Sequence, residues 1–185
     1  MGPSRGSRCF YSGASVVSAG IDSMTLIYAG VAPPKSGVEI AEDLRLRSKL
    51  LLYILGRRES PIILPMIAVS ELLVPLSPTQ RGALLQELTR RFLCPVFDLR
   101  AAALAAELFA EHLQLPNRHY PDRTVLKADL MIVASAKAAG ATEFFSNDPH
   151  CRALAKLAGL KDRELPTGDT LENRWYLEEA RRGEV

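Results

Sequence analysis

The chain has 185 residues, 48% of them hydrophobic and 24% charged, enough apolar material for one packed domain and too little length for two of ordinary size. Lys and Arg number 23 against 21 for Asp and Glu, a formal net charge of +2, which argues against a chain that holds nucleic acid by bulk charge alone. Cys9, Cys94 and Cys151 are odd in number, widely spaced and without a Cys-x-x-Cys pair. That pattern argues against a disulfide scaffold or a zinc knuckle and for a reducing, cytoplasmic setting. No apolar run reaches the roughly 18 residues of a membrane span, and no signal-peptide pattern follows the first arginines.

In chain order, residues 1–14 are rich in Gly, Ser and Arg and read as a flexible tail. Val16–Ile21 is a short apolar run that meets an acid at Asp22, the pattern of a core strand ending in a polar residue. Ser23 is placed to cap a helix containing Met24, Leu26, Ile27 and Tyr28. After a Pro-Pro turn, apolar residues at helical spacing predict a long helix over 39–58, with Arg45, Arg47 and Lys49 on its polar side. Ile62–Leu64, between two prolines, fits a buried parallel strand, and Pro65 suits the start of the helix that Pro75 stops.

Helical patterns follow at 79–92 and 100–113, with a strand predicted between them over Leu93–Phe97. Pro95 confines that strand to an edge or breaks it early. A loop over Leu115–Pro121 leads to an alanine-rich helix at 123–139 and a strand at Ala141–Phe145. Pro149 opens a helix through Leu157, and Leu165 marks a last short strand. Residues 169–183 form a terminal helix around Leu171, Trp175 and Leu177, or pack loosely. Strands alternating with helices predict an α/β fold, a three-layer α/β/α sandwich around a mostly parallel sheet. The chain divides into the tail 1–14, a domain over 15–168 and a helical extension over 169–185.

Four acids stand out. Asp22 and Asp148 fall where predicted strands run out, so parallel neighbours would bring both to one sheet edge, where open α/β folds place their sites. Glu71 and Asp129 sit inside predominantly apolar helical segments. Acids in such company are costly to bury without a partner, and four together are worse unless a cation neutralises them. Each alone is readily explained as a cap or a narrow polar face; the joint placement favours a metal. Oxygen donors without sulfur or paired histidines point to Mg²⁺ or Mn²⁺. His112, His119 and His150 have no metal-ligand spacing. A P-loop, a dinucleotide fingerprint and the Asp-x-Asp of an aspartyl-phosphate enzyme are absent.

The segments Gly20–Met24, Ile63–Leu73, Ala128–Ala136 with Gly140-Ala141, and Phe145–Pro149 resemble the PIN-domain nucleases, the family that supplies the toxin of many bacterial toxin–antitoxin pairs. The resemblance spans about residues 16–166. It implies a PIN-like nuclease domain in which Asp22, Glu71, Asp129 and Asp148 bind one or two divalent ions and catalyse RNA hydrolysis. It further implies that Ser23 and Ser146 support the acids, and Asn147 is placed to orient Asp148 or a water. Contacts to RNA phosphates would come from Arg45, Arg47, Arg118, Lys127 and Arg152, with Lys49 and His119 as further candidates and Tyr120 as a stacking residue.

The dense run Leu50, Leu51, Leu52, Ile54 and Leu55 exceeds one narrow buried stripe and predicts a homodimer. The resemblance adds a small antitoxin protein as a partner, and the lack of a long apolar run predicts no membrane association. The competing expectation is a catalytically silent PIN-like module that binds RNA or assembles.

Overall fold

The computed structural model describes residues 17–34, 39–116 and 122–182. The expected tail, and the candidates Arg118, His119 and Tyr120, lie outside the described residues. The elements are β1 (Ala19–Ile21), α1 (Ser23–Tyr28), α2 (Glu42–Gly56), β2 (Ile62–Ile63), α3 (Met66–Leu73), α4 (Pro78–Arg91), α5 (Leu99–Gln114), α6 (Arg123–Ala138), β3 (Glu143–Phe145), α7 (Pro149–Leu157), β4 (Lys161–Arg163) and α8 (Leu171–Arg182).

The sheet runs β2-β1-β3-β4 with every pairing parallel, in the register Gly20↔Ile63, Gly20↔Phe144 and Phe144↔Asp162. Helices flank it, giving the expected α/β/α sandwich. The chain leaves β1 to form β2 on one side, whereas β3 returns on the other side of β1. The strand order therefore reverses between β1 and β3, and the crevice beyond their carboxyl ends is the topological switch point of the sheet. Ile21, Leu26, Leu51, Ile63, Leu72, Leu130, Ile132 and Phe144 fill the core around these strands. Among the described residues no helix is long and apolar enough to cross a membrane.

Side-chain caps explain several boundaries. Asp22, rather than the expected Ser23, caps α1: its Oδ1 accepts from Thr25 N at 2.9 Å, and Ser23 is already helical. Asp98, Asp122 and Asp148 cap α5, α6 and α7 in the same way, and Pro149 occupies the first turn of α7. Ser77 and Gln80 form a capping box on α4.

Other differences from the sequence reading have physical causes. The predicted strand over Leu93–Phe97 reduces to one bridge, Ile63↔Leu93, because Pro95 lacks the N–H a ladder needs and the segment turns outward, exposing Val96 and Phe97. The last strand is Lys161–Arg163, not a strand at Leu165; its three side chains are all exposed, so it carries no hydrophobic signal, and Leu165 enters the core just after it. The helix expected over 39–58 is confined to Glu42–Gly56. Its dense apolar run has an intramolecular explanation. Leu51 and Leu55 face the main core, while Leu46 and Leu50 form a second cluster with Tyr176 and Leu177 of α8, beside Tyr53 stacked on Tyr176 at 4.6 Å. The surplus that motivated a dimer is thus covered by α8. Trp175, expected to anchor that helix, is half exposed.

Close approach also fixes one glycine. A Cβ on Gly20 would stand 2.7 Å from Phe144 Cδ2 and 3.0 Å from Ala136 Cβ, both in the packed core. Gly20→Ala should lower the unfolding free energy by about 1–3 kcal/mol, read by urea denaturation; an unchanged midpoint would show that β1, β3 and α6 pack less tightly there than described.

Candidate active site

The end of β1 delivers Asp22 into the switch-point crevice, and the turn after β3 delivers Ser146, Asn147 and Asp148 beside it. Glu71 comes from the last turns of α3 and Asp129 from the middle of α6. All four acids line one cavity of about 330 Å³, together with Ser23, Ile27, Pro33 and Cys151.

Hydrogen bonds connect these pieces. Ser146 Oγ donates to Asp22 Oδ2 and accepts from Asp148 N at 3.0 Å. Asp22 Oδ1 accepts from Thr25 N and from Thr25 Oγ1, the latter at 2.8 Å. Asp148 Oδ1 accepts from His150 N at 2.8 Å, which caps α7. Ser23 Oγ donates to Glu71 Oε2 at 2.5 Å, bridging α1 and α3. The residues singled out in the sequence as acids and as their hydroxyl supports are therefore in one place.

Asp22 is the electrostatic centre. It is 6% exposed, and every donor to it is uncharged. Burial raises its carboxyl above the usual range, the bonds from Ser146 and Thr25 oppose this, and the charge of Asp148 adds to the rise. Glu143 gives the contrast at the amino end of the same sheet. It is equally buried, but Arg58 and Arg163 both pair with it. Among the described residues no Lys or Arg pairs with Asp22, so one buried carboxylate has its cations built in and the other does not.

Three participants were not legible as site residues. Thr25 grips Asp22 at the capping spacing of three residues. The Tyr28 phenol lies near Asn147 and the acids; burial, then the charges of Asp22 and Asp148, push it up, and Asn147 opposes the rise. Cys151, one turn after Asp148, is buried, and its thiol is pushed well up by burial and by the charges of Asp22, Asp129 and Asp148.

Among the described residues, the cationic candidates do not line this cavity. Arg45 lies 3.6 Å from Glu42 and lines a neighbouring groove of about 890 Å³, which meets the acid cavity at Ile27 and Pro33. Arg47 donates to the carbonyls of Leu165 and Pro166, Arg152 pairs with Glu164, and Lys127 and Lys49 are exposed.

A hard divalent cation fits the chemistry of this donor set: carboxylate oxygens from four elements surround one cavity, and the most buried of them lacks a cationic partner. Among the described residues no three His, Cys, Asp or Glu side chains stand together as a ready metal-holding group, so binding would require the carboxylates to converge.

No family model and no curated protein matches the chain. Solved structures do. A chain of VapBC2 from Rickettsia felis, bound to a DNA fragment from their promoter, aligns over 81% of this chain and 100% of its own with a TM-score of 0.56. A chain of DNA-bound VapBC from Salmonella typhimurium aligns over 81% and 99% with a TM-score of 0.54; both are 17% identical to this chain. This chain has their fold. The α/β/α sandwich expected from the sequence is thereby supported independently of any single motif.

The raised Asp22 carboxyl has a signed consequence. The folded state holds that proton more tightly than the unfolded state, so without divalent ions Asp22 costs stability as pH rises from the ordinary aspartate value, and the cost is complete above the folded value. Asp22→Asn removes this dependence. In chelator, the stability of wild type relative to the variant should fall as pH rises above the ordinary aspartate value of about 4; urea midpoints that diverge in favour of wild type with rising pH would contradict the assignment.

Proposed function

We propose that this protein is a divalent-metal-dependent endoribonuclease that hydrolyses phosphodiester bonds in RNA, with Asp22, Glu71, Asp129 and Asp148 holding Mg²⁺ or Mn²⁺. The observation that carries the reading is that four acids from four elements line one switch-point cavity, around a buried carboxylate that no side-chain cation among the described residues neutralises. A bound hard cation would polarise a non-bridging phosphate oxygen and lower the pKa of a coordinated water. The chain's own part is positioning. Asp22 and Asp148 are the direct ligands, Asp129 ligates directly or through water, and Glu71 ligates or orients the attacking water. Ser146 holds Asp22 against the Asp148 turn, and Ser23 holds Glu71. Asn147, directly before Asp148, orients it or a water.

The likeness of fold to chains of VapBC complexes supports a toxin–antitoxin setting with a small partner protein. The groove beside the acid cavity, lined by Pro33, Leu76 and Leu84, offers room for an apolar segment of such a partner. Self-association has a different basis from the one first expected. Leu93, Val96, Phe97 and Leu99 remain exposed, as does Met66 at the start of α3, whose amide donates to Pro95 O, and we assign this surface to a homodimer.

One observation favours a second reading, a catalytically silent RNA-binding or assembly module: the acids are not gathered as a ready metal group. Cleavage decides between the two. Single-stranded RNA should be cut with Mn²⁺ and spared in chelator. Asp129→Asn should lower cleavage about 10²-fold, about 2.7 kcal/mol in transition-state stabilisation. It should leave apo stability unchanged or slightly raised, since one of several repelling charges is gone. Loss of apo stability with cleavage intact would remove Asp129 from the set, and absence of cleavage by metal-loaded wild type would favour the silent module.

The surface around Val96 is tested separately. Light scattering at tens of micromolar should give a dimer for wild type and a monomer for Val96→Asp/Leu99→Asp; a monomeric wild type would refute the assignment.

A further inference from the structure

A pocket of about 400 Å³ between the start of α2, the segment at Thr167 and Gly168, and α8 from Arg174 to Arg181 shares no lining residue with the acid cavity. Three guanidinium groups line it: Arg47 of α2, and Arg174 and Arg181 of α8. Arg174 and Arg181 are seven residues apart, two turns of helix, and so project from one face. Both are exposed, and among the described residues no acid pairs with either guanidinium. Arg47 is fixed: its Nε donates to Pro166 O at 3.1 Å and its Nη2 to Leu165 O at 2.7 Å. Those acceptors are neutral, so they orient the group without cancelling its charge. Asp43, 3.5 Å from Arg47 Nη1, is the one acid in the lining, and its side chain is 69% exposed, where water screens it.

Three positive charges against one screened negative charge, in a pocket large enough for a phosphate and its sugar, favour an anion there: Arg47 contributes its charge, and Arg174 and Arg181, exposed and without an acid partner among the described residues, are guanidinium groups of the kind that take phosphate oxygens pairwise. We infer that this pocket binds a phosphate group, presented by the backbone of a single-stranded RNA that is held outside the acid cavity. The contact positions the strand without reading its bases. Naming RNA as the source rests on the nuclease reading, whereas the pocket itself needs neither a metal ion nor the four acids.

Binding is therefore measured with cleavage disabled by chelator, as the anisotropy of a short fluorescent single-stranded RNA across a salt series. Arg174→Gln/Arg181→Gln should weaken binding about tenfold at low salt and reduce the salt slope by about 1–2. Arg174→Lys/Arg181→Lys, which keeps the charge, should retain most of the low-salt affinity. If RNA affinity is equal in wild type and the glutamine variant but inorganic phosphate raises the melting temperature of wild type alone, the source is free phosphate. Equal affinity, equal salt slope and no difference in the response to phosphate would overturn the inference. Arginine-dependent binding by a protein that never cleaves RNA with Mn²⁺ would remove the nuclease reading and leave this site standing.

Discussion

The hydrogen bond that Ser146 Oγ donates to Asp22 Oδ2 joins the ends of two neighbouring parallel strands, and much of the site hangs from it. On one side Asp22 is the cap of α1, gripped twice by Thr25. On the other, Ser146 accepts from the amide of Asp148, which is itself the cap of α7. A continuous chain of bonds thus runs from one helix N-terminus to another through two carboxylates. Each cap satisfies helix amides that would otherwise lack acceptors, so these acids serve the fold as well as any ligand. Glu71 and Asp129 join by different means. Glu71 is held by Ser23, the residue after Asp22, and Asp129 is carried by a helix whose Leu130, Ile132 and Val133 are locked into the core.

That arrangement is electrostatically expensive. Glu143, a few residues upstream of Ser146 on the same strand, shows how the fold treats a buried carboxylate when no ligand is intended: two arginines cover it. At the opposite edge the chain places a buried Asp22 near a second acid and supplies hydroxyls and an amide instead. Hydrogen bonds from neutral donors lower the cost of the charge but do not offset burial and repulsion together. The same charge imbalance makes the edge a favourable place for a cation, since a ligand that binds only the folded state recovers the deficit.

What the sequence could reveal follows from this division. Asp22 and Asp148 were legible because each ends an apolar strand, and Glu71 and Asp129 because each interrupts an apolar helical segment. Exposed elements were not. The side chains of β4 all face outward, so its three residues lack the signature that betrays β1 and β3. Thr25 and Cys151 were hidden because a threonine in a helix or a cysteine in a core is usually unremarkable. The setting of Arg47 was hidden for a related reason: sequence gives the charge but not the acceptors, and the carbonyls that hold it lie more than a hundred residues away, at Leu165 and Pro166.

The same long-range link accounts for the role of α8. Helix α2 is apolar on two sides, and a lone amphipathic stripe cannot explain both Leu51 and Leu50 being fully buried. Leu51 is covered by the sheet domain; Leu50 and Leu46 are covered only because Arg47 fixes the segment at 165–166 and so directs the following chain across α2, where Tyr176 and Leu177 close the gap. The solved VapBC chains are covered almost completely by the alignment while this chain is covered over 81%, so it carries residues beyond the shared fold. The helix that seals the second side of α2 with apolar residues also lines up arginines along the seam. Packing and charge are therefore two consequences of one placement: the register that buries Tyr176 and Leu177 is the register that turns Arg174 and Arg181 toward Arg47.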